Sequence, residues 1–393
     1  MLNPILPVYK RCDLEFTSGK GCFLEDNTGN KYLDLGAGIA VNSLGYCHPK
    51  LVESLQQAAL LPWHISNLYN IPGQQKLAKK LVSNSSCDQV FFCNSGTESI
   101  ETAIKIIRQY FYHHNKTQKK NILTFEHAFH GRTIAAISAC GNKDYQQGYA
   151  PLLPGFINVP LKDANVENIS SYIDDTIAAI IIEPIQGEGG VNVFPKEFLK
   201  LLEKISIENN IILVVDEVQC GIGRTGKLFH YEWSNISPDI ITVAKGIGGG
   251  FPLAACLVKE NIGKVMKFGS HGGTYGGNPL AMRIGNTVLD EVLSAGFLDN
   301  IIKKGQRLKD KLLLLQQQYP HIISEVKGTG LMLGVRVPGG HAKIVELLRS
   351  YKVLTVPAGN EVIRIIPPLI ISEEEIDFAI ATIKKVLREV NDR

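Results

Sequence analysis

Six apolar runs of strand length punctuate the chain between residues 89 and 258: QVFFCN, NILTFEH, AAIIIEP, IILVVDE, DIITVAK and LAACLVK. None alternates cleanly with polar residues, so each reads as a strand buried on both faces. Helical patterns such as Thr97 to Tyr112 and Glu197 to Asn209 lie between several of them. Strands alternating with helices predict an α/β architecture, a mainly parallel sheet covered on both sides. The two ends of the chain read differently. The first 48 residues carry short strand signals with glycine turns, as in GCFLEDNTGNKYLDL. The tail opens on an amphipathic pattern expected to form one long helix from Pro279 to Leu313, followed by KGTGLMLGVRV and GNEVIRIIPPL. These signals predict a large domain over residues 50–280 and a small α+β domain built from residues 1–49 and 281–393.

The 393 residues are 45% hydrophobic and 20% charged, ordinary for a globular chain with a sizeable core. A formal net charge of +3, with no basic run interleaved with aromatics, argues against nucleic acid or a membrane surface. The start MLNPILPVYKRCD lacks the pattern of a secretory signal. The eight cysteines form no CxxC and read as reduced thiols of a cytoplasmic protein, although Cys12 and Cys22 could pair. No HExxH or paired Cys/His spacing occurs, so no metal site is expected.

Chemistry-bearing residues collect at the ends of the apolar runs. Asp216 closes IILVVD and Lys245 closes DIITVAK. A lysine amine can condense with the aldehyde of pyridoxal phosphate, and a carboxylate can pair with the protonated pyridine nitrogen. The same two residues also suit a capping acid and a lysine snorkelling to solvent. NSGTESIE, Asn94 to Glu101, follows a strand and opens a helix, as a phosphate cradle or an ordinary capping box would. FHGRT, Phe129 to Thr133, offers a ring to stack on a flat cofactor and Arg132 to grip a carboxylate. His127 and His130 read as packing or cofactor-adjacent groups. HGGTYGGNP, His271 to Pro279, is a glycine loop with one hydroxyl, Thr274. EPIQGEGG places Glu188 in a glycine loop, where it is a plausible ion-pair partner for Arg364 of IRIIPPL. GIGRTG, Gly221 to Gly226, matches a dinucleotide fingerprint and raises a dehydrogenase as the rival from another class. No clean helix follows it, and no acid closes the next strand.

Taken in order, YLDLGAGIAVNSLG, HISNLYN, NSGTE, FHGRT, EPIQGEGG, DEVQCGIGRTGKL, PDIITVAKGIGGGFP, HGGTYGGNPLA, KGTGLMLG and RIIPPLIISEEEID resemble the class III (ω-amino) aminotransferases over nearly the whole chain. The resemblance implies the aspartate-aminotransferase-like fold, type I of the pyridoxal-phosphate enzymes, and a homodimer with shared active sites. By that resemblance Lys245 would hold the cofactor and shuttle the proton, and Asp216 would pair with the ring nitrogen. Gln219 would contact the ring hydroxyl, Glu217 and Val218 would also bind the cofactor, and Phe129 would stack on the ring. Gly96 and Thr97 would hold the phosphate, with Thr274 reaching it from the other subunit. Arg132, Glu188, Gly273 and Arg364 would form the substrate site. The implied substrates are N-acetylornithine and 2-oxoglutarate, giving N-acetylglutamate 5-semialdehyde and glutamate in arginine biosynthesis. Succinylornithine, succinyldiaminopimelate, ornithine and 4-aminobutyrate are the alternative donors. Ile39 stands where ornithine-specific members have tyrosine, which favours an N-acylated donor. Tyr46, Ala128 and Gly273 also depart from the family's common residues.

Overall fold

The computed structural model describes residues 4–392; Met1 to Asn3 and Arg393, at the edges of the expected small domain, lie outside it. Its centre is a seven-stranded sheet in the order Gln89–Cys93, Ala254–Val258, Ile240–Val243, Ile212–Asp216, Ile177–Ile182, Asn121–Phe125 and Phe156–Val159. Ala254–Val258 runs antiparallel to both its neighbours, and the remaining pairings are parallel. All six expected strands are present. The seventh, Phe156–Val159, is a short, half-buried edge strand with no strong apolar run to announce it.

The sheet's continuous apolar runs follow from its two covered faces. Leu213 and Val215 pack into the larger core, with Phe198 and Leu202 of the helix Lys196–Asn209. Ile212 and Val214 point the other way, against Ile100, Ile104 and Ile107 of the helix Gly96–His113. Each such side chain contributes roughly 1.5–3 kcal/mol over its exposed state, so a polar residue is disfavoured on either face.

The tail departs from the single long helix expected. Pro279–Val292 and Phe297–Gln318 are separate helices, broken at Gly296, whose φ is +78°. Glycine adopts that left-handed value without a Cβ penalty. The two chain ends meet directly: Lys31–Asp34 pairs in parallel with Val353–Leu354. A second four-stranded sheet follows the order Glu325–Thr329, Met332–Arg336, Val362–Ile365 and Val356–Ala358.

GIGRTG works as structural glue. Arg224 is buried and donates to the carbonyls of Leu331 and Pro367, while Leu331 returns its amide to Arg224 O at 3.0 Å. Only a short 3-10 turn, His230–Ser234, follows, so there is no long helix N-terminus to meet a pyrophosphate. Cys12 and Cys22 are both free, one exposed and one buried.

Candidate active site

The parallel strands deliver their carboxyl ends to one edge of the sheet, and the chemistry collects there. Cys93 leads into Asn94, Ser95 and Gly96; Phe125 into Phe129 and His130; Ile182 into Glu183; Val243 into Lys245. These groups line one cavity of about 410 Å³, together with Asp216, Val218, Gln219 and Arg132. That size suits a small cofactor plus substrate.

Three donors orient the Asp216 carboxylate. Its Oδ1 accepts the Val218 amide at 3.0 Å and the Thr242 hydroxyl at 3.1 Å, and its Oδ2 meets His130 Nδ1 at 2.8 Å. Burial alone would pull the His130 pKa down; the hydrogen bond and charge of Asp216, with Glu183, push it net upward. Lys245 has the left-handed φ of +51°, a strained value for a residue with a side chain. It is partly accessible from the cavity, yet its amine is enclosed enough that burial lowers its pKa; the Arg364 charge adds to this, and the Glu188, Glu183 and Asp216 charges oppose it without reversing it. A lowered pKa favours the neutral, nucleophilic amine.

One end of the cavity is the start of the helix Gly96–His113. Ser95 caps it by accepting the Glu98 amide, while the Glu98 carboxylate takes the Ser95 amide at 3.1 Å. This satisfies part of the first turn and leaves it aimed at the cavity. A Cβ at Gly96 would come 2.8 Å from Val218 Cγ1, and one at Gly131 would come 2.2 Å from Thr97 Oγ1, so both glycines allow close backbone approach.

Two arginines serve the far side. Arg364 is almost completely buried, and its NH1 donates to Glu188 Oε1 at 2.7 Å and to Gln219 Oε1 at 3.1 Å. Arg132 is exposed, with its guanidinium 4.0 Å from the ring centre of Tyr145 and 5.4 Å from that of Phe129. Tyr145 and Phe129 meet edge to face at 5.5 Å.

Most expected residues therefore meet at one place, with three exceptions. Glu217 turns its carboxylate away to accept the His230 and Tyr231 amides at 2.9 and 2.8 Å. Burial pushes its pKa up to about 7. Gly273 and Thr274 lie on an exposed loop outside the cavity. Glu183 and Tyr145 have no role in the sequence reading, and His130 enters it only as a packing or cofactor-adjacent group. His130 holds Asp216. Glu183 accepts the Phe129 amide at 2.7 Å and is pushed up to about 7 by burial and the Asp216 charge. Tyr145 stacks on Arg132. Their partners are distant in sequence, and only the strand-end position of Glu183 gave a signal.

The aminotransferase class-III family model matches residues 8–387. The chain belongs to that family. An acetylornithine aminotransferase of Brucella melitensis is 45% identical over 390 residues, covering 99% of this chain and 96% of its own. Among solved structures, an acetylornithine aminotransferase from Elizabethkingia anophelis is 30% identical with a TM-score of 0.86, covering 98% of this chain and 96% of that one. An ornithine aminotransferase from Toxoplasma gondii, described with partial pyridoxal phosphate occupancy at its active site, is 29% identical with a TM-score of 0.94, covering 99% of this chain and 93% of that one. A class-III aminotransferase depends on pyridoxal phosphate, and the dehydrogenase reading of GIGRTG falls with the family assignment.

Proposed function

We propose that this enzyme moves the δ-amino group of N-acetylornithine to 2-oxoglutarate, using pyridoxal 5'-phosphate held by the cavity residues above. The observation that carries the reading is a pair of arginines at the Lys245 cavity, Arg132 lining it and Arg364 hydrogen-bonded to its Gln219, the latter arginine already occupied by a glutamate of the same chain. The relatives named as acetylornithine aminotransferases support the donor.

The cavity fits the cofactor. It offers an anion cradle at Gly96 and Thr97, a buried carboxylate, a flat face at Phe129 and an enclosed lysine. His130 Nε2, buried at the same cavity, has no partner among the described residues, as expected of an atom near a polar ligand site. When bound, pyridoxal phosphate supplies an electron sink that makes the proton beside the reacting amine removable. Asp216 would face the ring nitrogen, held there by His130 and Thr242. Val218 and Gln219 would flank the ring. Lys245, whose amine burial pulls below its ordinary pKa, would be the group that accepts that proton and gives it back. Arg132 binds the carboxylate common to both substrates. Glu188 screens Arg364 while the single-carboxylate donor is bound, and the second carboxylate of 2-oxoglutarate displaces it.

Thr274 has no place in its own cavity, which suits the reading that it reaches the phosphate of a second subunit. Exposed apolar side chains support a homodimer: Leu60 is 88% and Leu68 87% exposed, with Trp63, Tyr69, Phe268 and Tyr275 also exposed. Asn67 ties the two segments together by donating to the carbonyls of Gly273 and Gly276, both at 3.1 Å. Sedimentation should show an active dimer; an active, cofactor-saturated monomer would end this part of the reading. All eight cysteines are free, and among the described residues no helix is long and apolar enough to cross a membrane, in keeping with a cytoplasmic enzyme.

The deciding experiment is a steady-state panel of N-acetylornithine, succinylornithine, succinyldiaminopimelate, ornithine and 4-aminobutyrate with 2-oxoglutarate. N-Acetylornithine should exceed ornithine and 4-aminobutyrate by at least about tenfold in kcat/KM, a difference of about 1.4 kcal/mol. A preference for either free amine overturns the assignment.

A further inference from the structure

Residues 37–40 hold a backbone conformation that L-amino acids avoid. The φ angles are +47° at Ala37, +61° at Gly38, +64° at Ile39 and +62° at Ala40. Three of the four carry a Cβ, and Ile39 is branched there, so each of these three is strained in a left-handed turn. The turn closes on itself, with the Ala40 amide on Gly36 O at 3.0 Å and the Val41 amide on Ala37 O at 2.8 Å. A third bond, from the Asn42 amide to Ala37 O at 2.9 Å, completes the closure, and bonds of this kind contribute little net stability to set against strain at three residues. Conformations of this kind persist where their surroundings over-determine them.

The surroundings here are one buried carboxylate and one phenol. Asp34 Oδ1 accepts the Gly36 amide at 2.7 Å, and the amides of Ala37 and Gly38 also stabilise its anion. Asp34 Oδ2 accepts the Tyr46 hydroxyl at 2.5 Å. Tyr46 is itself pinned: its amide reaches Gly21 O at 2.8 Å, and the Gly21 amide reaches Tyr46 O at 3.0 Å. Burial pushes the Asp34 pKa up, while the Tyr46 hydroxyl and the three amides pull it back. Removing the hydroxyl therefore weakens the anion around which the turn is wound.

The turn in turn shapes the active site. Val41, the residue after it, lines the catalytic cavity. Ser43 donates to Gly246 O at 2.8 Å, one residue past Lys245.

We propose that Tyr46 and Asp34 are positioning residues: they hold the left-handed turn 37–40, and through it the Val41 wall of the cavity, against which the amino donor fits. The donor side of this proposal rests on the acetylornithine reading above. The pair touches none of the reacting groups, so it governs how well the donor is held more than how fast the held donor reacts.

The test compares wild type, Tyr46→Phe and the double variant Tyr46→Phe/Ala37→Gly as cofactor-loaded enzymes. Glycine accepts positive φ without strain, so Ala37→Gly should relieve what the missing hydroxyl no longer restrains. Hydrogen exchange without substrate should show the amides of residues 36–43 exchanging at least about tenfold faster in Tyr46→Phe, the rest of the chain unchanged, with most protection restored in the double variant. The KM for N-acetylornithine should rise about tenfold in Tyr46→Phe, with kcat within about twofold, and should fall back in the double variant. Unchanged exchange in Tyr46→Phe, no rescue by glycine, or a loss confined to kcat overturns the proposal. A wild type inactive on N-acetylornithine overturns the substrate reading alone, since the exchange comparison needs no substrate.

Discussion

His130 illustrates how much one side chain depends on neighbours far away in sequence. Its ring meets Asp216 across 86 residues of chain, in a pocket where neither side chain is appreciably exposed. Because Asp216 and Glu183 raise the folded pKa of His130, its contribution to stability is complete below the ordinary value of 6.5 and is lost as pH climbs through the raised one. His130→Gln keeps a donor without the titration. In denaturant unfolding of the apoprotein, the stability advantage of wild type over His130→Gln should shrink as pH rises from about 6 to 9. An advantage that stays constant or grows would show that the pair is not ionic. Asp216 and Lys245 could be read from sequence because each ends an apolar run, where the backbone leaves the sheet. A lone histidine in a loop carries no such mark, and nothing local to Tyr145 announces that Arg132 will lie across its ring.

The helix Gly96–His113 does two jobs at once. Its Ile100, Ile104 and Ile107 bury one face of the sheet, and its first turn opens on the cavity, where the proposed cofactor phosphate would sit. The loop at Gly131 sits against that first turn, at φ +132°, with no room for a side chain beside Thr97. Gly131→Ala should destabilise the protein by roughly 1–3 kcal/mol, through overpacking and backbone strain, and should weaken cofactor retention. Thermal unfolding and cofactor titration would check both; normal cofactor affinity would mean that the cradle does not depend on this contact. Buried strands and capped helices were legible because apolar runs and the Ser95–Glu98 box are local signals. The break at Gly296 was masked by helical periodicity that runs across it. Phe156–Val159 went unread because a half-buried edge strand needs few apolar residues.

At the scale of the molecule, the ion pair between Glu188 and Arg364 joins parts of the chain 176 residues apart. Glu188 lies in the loop beyond the central sheet, and Arg364 lies within the strand Val362–Ile365 of the C-terminal sheet. The sequence could suggest the pair only because a buried arginine needs an acid; that the two meet is a property of the whole fold. Arg364 is almost fully buried while Glu188 is 23% exposed, so the acid is the partner free to swing out. An enzyme that must accept one carboxylate in one half-reaction and two in the next needs such asymmetry. A bare Arg364 would hold glutamate equally well in both, whereas a screened one becomes available only when a competing carboxylate arrives. Arg364→Ala should therefore impair mainly the half-reaction with 2-oxoglutarate, by about 2–5 kcal/mol in transition-state binding, because the incoming carboxylate is left unpaired. Arg132→Ala should impair both halves. Glu188→Ala should shift donor preference toward glutamate. Single-turnover absorbance of the cofactor separates the two halves; if Arg364→Ala slowed both equally, Glu188 could not be acting as the gate.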